Sequence, residues 1–159
     1  MSDNNSEIMV ASDIQDTNAA LMKAPAFVQN EVLSMGMFAT VNEEDETRRK
    51  VMTYNATQDS VQMRTLIESG ETIAPKGIIV RADEIENEDG GHDSVPCVII
   101  IDEGGRSFMS HSASVLNSIA ALFSSFGSDL SKWPAGMRLA VVERSSQRGR
   151  RFHTIKVVF

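Results

Sequence analysis

The chain has 159 residues, 42% of them hydrophobic, which suffices for one well-cored domain and is too short for two comfortable ones. Its formal net charge is −7, and taken alone that argues against a nucleic-acid binder, whose domains are commonly basic. A single cysteine, Cys97, excludes an internal disulfide and cysteine-rich metal motifs, and no stretch approaches the ~20 apolar residues of a membrane span.

Residues 1–30 are polar and small with weak apolar periodicity, and read as a mobile acidic arm with local helix near Asn18 to Met22. The arm's start, Met1-Ser-Asp-Asn-Asn-Ser-Glu7, lacks the basic opening of a signal peptide, so a cytoplasmic location is expected. Phe27 to Val41 shows no decisive pattern. Asn42-Glu-Glu-Asp-Glu46 followed by Thr47-Arg-Arg-Lys50 suits a helix start, with acids ahead of bases along the dipole.

From Thr72 onward the pattern sharpens. Ile73 to Ile85 predicts a strand and Asn87-Glu-Asp-Gly-Gly91 a turn. Ser94 to Asp102 predicts a strand that is apolar on both faces, with Cys97 buried in it as a thiol of no special reactivity. Asp102-Glu-Gly-Gly105 is a tight turn into a third strand at Arg106 to His111. Val115, Leu116, Ile119, Leu122, Phe123 and Phe126 then fall on one face at helical spacing, between a serine cap (Ser110 or Ser112) and Gly127. A loop carrying Trp133-Pro134 leads to two more strands, Met137 to Arg144 and Arg151 to Phe159.

The order strand, strand, strand, helix, strand, strand is that of the OB-fold. The expected class is therefore mainly β with one or two helices, an OB-fold-like five-stranded barrel with a helix between strands 3 and 4, over residues 31–159. Barrel closure also accounts for a second strand buried on both faces. An open five-stranded sheet with one covering helix is the competing architecture.

Charge is distributed unevenly. Residues 1–46 carry nine acids against the single base Lys23, a formal −8. Residues 130–159 carry seven bases (Lys132, Arg138, Arg144, Arg148, Arg150, Arg151, Lys156) against Glu143, a formal +6. Such asymmetry suits a phosphate footprint on the last hairpin. Arg148 and Arg150 lie in the loop between strands 4 and 5, which OB-folds use to grip nucleic acid, and Arg151 follows at its end. Arg138, Arg144 and Lys156 extend that surface, and Arg81 and Arg106 are basic positions on the first and third strands. Stacking candidates are Phe108, Trp133 and Phe152, each beside a basic stretch. Core packing is the competing reading for Phe108 and Phe152, whereas Trp133, in a loop, is expected to be partly exposed.

His92, His111 and His153 stand at no zinc-ligand spacing, and no nucleophile-elbow, P-loop or HExxH sequence occurs, so neither catalysis nor a metal or other cofactor is expected.

Met37 to Phe159 resembles a family of single-stranded DNA-binding proteins of tailed bacteriophages. The resemblance rests on Met37-Phe-Ala-Thr40, Thr47-Arg-Arg-Lys-Val-Met-Thr-Tyr-Asn-Ala56, Val98-Ile-Ile-Ile-Asp102, Ser110-His-Ser-Ala-Ser-Val-Leu-Asn-Ser118, Phe123-Ser-Ser-Phe-Gly127, Trp133 and Gly149-Arg-Arg-Phe152. It implies an OB-like, non-enzymatic protein coating displaced strands in phage replication or recombination. The partner is then single-stranded DNA (with RNA not excluded), alongside replication or recombination proteins. Independently of the resemblance, edge strands flanking such a barrel need covering, by the N-terminal arm or by a second copy of the chain in a homo-oligomer. The resemblance also implies backbone contacts from Arg148, Arg150 and Arg151. The alternative is a non-catalytic interaction module that sequesters a host factor, which the net negative charge and sparse aromatics favour.

Overall fold

The computed structural model describes residues 25–159. The elements are α1 (Ala26–Met35), β1 (Met37–Val41), α2 (Glu46–Gln58), β2 (Val61–Gln62), α3 (Arg64–Ser69), β3 (Pro75–Glu86), β4 (His92–Asp102), β5 (Ser107–Ser110), α4 (Ala113–Phe126), a 3-10 turn at Leu130–Lys132, β6 (Arg138–Ser145) and β7 (Arg151–Val158). The expected succession of three strands, a helix and two strands is present as β3 to β7. The helix expected near Asn18 lies outside the described residues, and the boundary placed at residue 30 falls inside α1, whose Val28 is fully buried.

Two features of the expected architecture are corrected. The described residues hold four α-helices instead of one or two. The sheet is also open: five strands run in the order β1-β3-β4-β5-β2, while β6 and β7 form a separate two-stranded ladder. One isolated antiparallel bridge, Ile73 to Leu139, joins the two, with N–H to O distances of 2.8 Å in both directions. A closed barrel needs a further ladder on β7. Instead α4 lies along that strand: Ser114 Oγ donates to the His153 carbonyl (2.7 Å), and Ser118 Oγ accepts from the Ile155 N–H (3.1 Å). Helix serines thus satisfy backbone groups that a neighbouring strand would otherwise have paired.

The sheet is covered on both faces. Ile78, Val80, Val98 and Ile100 face a large core closed by α1, α3, α4 and β6, with Leu116, Ile119, Phe123 and Leu139 among its members. Ile79, Cys97, Ile99 and Ile101 point the other way and pack against Ala56 and Met52 of α2. This is why β4 is apolar from Val95 to Ile101: alternate side chains enter two different cores. Local chemistry explains the flanking elements. Gly36 (φ 77°) ends α1 and turns the chain into β1, and the Asp45 carboxylate accepts from the Arg48 N–H (2.9 Å) to cap α2. Among the described residues, no helix is long and apolar enough to cross a membrane.

The three hairpin turns among the described residues share one construction. In Asn87–Gly91, Asp102–Arg106 and Ser146–Arg150, the first N–H donates to the fifth carbonyl at 2.8 Å. The fifth N–H donates back to the first residue's side chain. The fourth residue is a glycine at positive φ: Gly90 at 81°, Gly105 at 86° and Gly149 at 77°. Asn, Asp and Ser supply the short acceptor and glycine the left-handed position, so the turns are legible from sequence.

Candidate nucleic-acid interface

The last hairpin gathers the largest share of the expected residues. Cross-strand partners point to the same face of a ladder, and the register pairs Arg138 with Val158, Ala140 with Lys156, Val142 with Thr154 and Arg144 with Phe152. One face of β6–β7 therefore carries Arg138, Arg144, Phe152 and Lys156. The opposite face carries Leu139, Val141, Ile155 and Val157 into the core. Alternation alone divides the hairpin into an anchoring face and a displayed one.

On the displayed side the cations differ in availability. Arg148 and Arg150 stand exposed on the tip, and among the described residues their side chains have no partner. Lys156 is exposed, and among the described residues Arg144 makes only a long hydrogen bond to Thr154 Oγ1 (3.3 Å). Phe152 is half-buried directly opposite Arg144, an apolar platform beside a guanidinium. Arg151 falls on the opposite face, 3.4 Å from Glu143. Arg138 is engaged at the root, donating to Thr72 Oγ1 (2.5 Å) and to the Thr72 carbonyl (2.9 Å), next to the Ile73–Leu139 bridge.

The remaining expected residues lie elsewhere. Trp133, expected to be partly exposed, is buried at 8% exposure. Its indole N–H donates to the Gly127 carbonyl (2.8 Å), and its rings lie 6.5 and 6.0 Å from Phe123 and Phe126. Phe108 is buried at 4%, with Arg106 over its ring at 5.3 Å. Neither ring presents a face to a base. Arg106 is clamped by Asp102 (2.9 Å) and Glu71 (3.0 Å), whose hydrogen bonds, Glu71's first, raise its pKa further.

Arg81 belongs to a small network at the base of the β3–β4 hairpin. Its Nε lies 2.8 Å from Asp83 Oδ1, and His111 Nε2 lies 2.9 Å from Asp83 Oδ2. Burial works against ionising Asp83, but His111 and Arg81 outweigh it and hold its carboxyl below the ordinary value. Burial, reinforced by the Asp83 charge, pushes the Cys97 thiol up to about 12. Donor atoms of Asp83, Cys97 and His111 lie within 4.8 Å of one another, a grouping that their scattered positions in the sequence conceal. A thiol so weakly acidic beside an arginine is a poor cation ligand at neutral pH. The arrangement suits an ion-pair lock on the hairpin's root.

A second cationic surface escaped the sequence reading. On α2, Arg48 and Lys50 are exposed, and Tyr54 is 64% exposed one helical turn after Lys50. Arg49, Lys50 and Tyr54 border a cavity of about 330 Å³ floored by Met37, Ala39 and Val41 of β1. An apolar floor, an exposed phenol ring and a cationic rim together fit a stacked base and its phosphate. The signal was Tyr54 following Arg48-Arg49-Lys50 at helical spacing, and what hid it was that β1 supplies the floor.

A model of the Phage Single-stranded DNA-binding protein family matches residues 32–158. The match includes β1, α2 with Tyr54 and the whole β6–β7 hairpin. No curated protein and no solved structure matches the chain. Covering most of the chain and both cationic surfaces, the match establishes that this protein belongs to the phage single-stranded DNA-binding protein family.

Proposed function

We propose that the protein is a non-enzymatic, sequence-tolerant coat for single-stranded DNA displaced during phage replication or recombination, acting in the host cytoplasm. The displayed face of β6–β7 carries this reading: Arg144, Arg148, Arg150 and Lys156 grip phosphates, and Phe152 offers its ring to a base. Arg138 steadies the hairpin's root, and Arg151 adds charge beside it. The α2 surface, with Tyr54, takes a second stretch of strand. Grip by unpatterned cations and flat rings tolerates any sequence. It also leaves RNA as a weaker competitor.

The succession β3-β4-β5-α4-β6-β7 supports descent from an OB-like barrel, opened where α4 replaces a strand beside β7. Fluorescence anisotropy with a labelled oligo-dT tests the reading. Binding that weakens steeply with salt is expected, and little preference between oligo-dT and a mixed sequence. No binding at about 50 mM salt, where phosphate contacts are strongest, would overturn it.

A further inference from the structure

We propose that the acidic β3–β4 ribbon docks on the basic β6–β7 hairpin of a second copy of this chain and competes there with nucleic acid; only the competition rests on the proposed function. The ribbon is the part of the sheet that leaves the body of the protein. The β1 ladder stops at Arg81, and the β5 ladder begins at Val98. From Ala82–Pro96 to Glu86–His92, β3 and β4 therefore pair only with each other. Those five paired positions extend about 15 Å. A two-stranded ribbon gains little stability by itself, and its Ile85 is left 39% exposed.

Its charge is one-sided. Residues 83–93 hold Asp83, Glu84, Glu86, Glu88, Asp89 and Asp93 with no lysine or arginine, a formal −6. Asp83 is spent at the root on Arg81 and His111. Among the described residues, the side chains of Glu84, Glu86, Glu88 and Asp89 make no ion pair, and no salt bridge joins this ribbon to β6–β7. Carboxylates packed this way repel phosphate, so the ribbon does not grip DNA itself. They fit a cationic surface of similar length, and the chain carries one: the β6–β7 tip, with Arg144, Arg148 and Arg150 exposed. Because the two patches differ, the contact is heterologous and joins copies head to tail. A strand of phosphates and a ribbon of carboxylates present the same charge to the same arginines, so each displaces the other.

Sedimentation of the full chain without DNA, at about 50 mM salt and again at about 300 mM, reads the association directly. Average mass should rise with protein concentration at the lower salt and return to the monomer at the higher. Glu84→Gln/Glu86→Gln/Glu88→Gln, all exposed, should abolish the rise without altering the circular dichroism spectrum. A charge swap, with those three glutamates made arginine and Arg144, Arg148 and Arg150 made glutamate, should restore it. Adding oligo-dT to the unmodified chain should dissolve the association. A monomer at every concentration, or a triple-Gln variant that associates like the unmodified chain, would overturn the docking, whether or not the protein binds DNA. Association that survives saturating oligo-dT would overturn the competition.

Discussion

The β3–β4 and β6–β7 hairpins are built on the same five-residue turn and differ in almost everything they display. Each turn closes with a 2.8 Å bond from its first N–H to its fifth carbonyl, and each places glycine at the left-handed position. One tip is Asn87-Glu-Asp-Gly-Gly91 and the other is Ser146-Gln-Arg-Gly-Arg150. Backbone chemistry thus sets the shape of both ribbons, and side chains that contribute nothing to the turn set what each can bind. The roots differ as well. The basic hairpin buries Leu139 and Val141 and bridges to Ile73, whereas the acidic one is held by an ion-pair lock around Asp83.

That difference in rooting predicts unequal sensitivity. Leu139→Ala removes a fully buried side chain at the bridge and should lower stability by about 3 kcal/mol in urea unfolding. Tyr54→Ala, away from both hairpins, should weaken oligo-dT binding roughly tenfold, the scale of one stacked base, and leave the salt dependence unchanged. Loss of slope with that variant would move Tyr54 from stacking to phosphate positioning. The smallest effect belongs to the acidic root. Asp83 is partly exposed, so Asp83→Asn should destabilise by no more than about 1 kcal/mol at pH 7. Its carboxyl is held below the ordinary 3.8, so its contribution is present above that value and disappears as pH falls through the lowered one. Unfolding curves of the variant and the unmodified chain should therefore converge in acid and separate above it.

Much of this contrast was legible before the fold was known. The turns, the five strands from Ile73 onward, the helix face from Val115 to Phe126 and the basic last hairpin all follow from local rules of spacing and turn chemistry. What was not legible depends on distant partners. β1 is recognisable only through its ladder with β3, some 40 residues on, and β2 is two residues paired with β5. Trp133 sits in a loop, which suggests exposure, but Gly127 satisfies its N–H and Phe123 and Phe126 enclose its rings. The open sheet turns on Ser114 and Ser118, two unremarkable polar positions on an apolar helix, which take the edge of β7. The exposure of Tyr54 is decided by how α2 lies over β1, which no local pattern reveals.

The central claim is that phosphates are gripped on the displayed face and tip of β6–β7. The most direct test compares the dependence of oligo-dT affinity on salt for the unmodified chain and for Arg144→Ala/Arg148→Ala/Arg150→Ala. Each neutralised phosphate on a single strand contributes about 0.7 to the slope of log affinity against log salt. Loss of three contacts should flatten that slope by roughly 2 and weaken binding on the order of 50-fold at low salt. Parallel slopes with retained affinity would place the grip elsewhere and contradict the account.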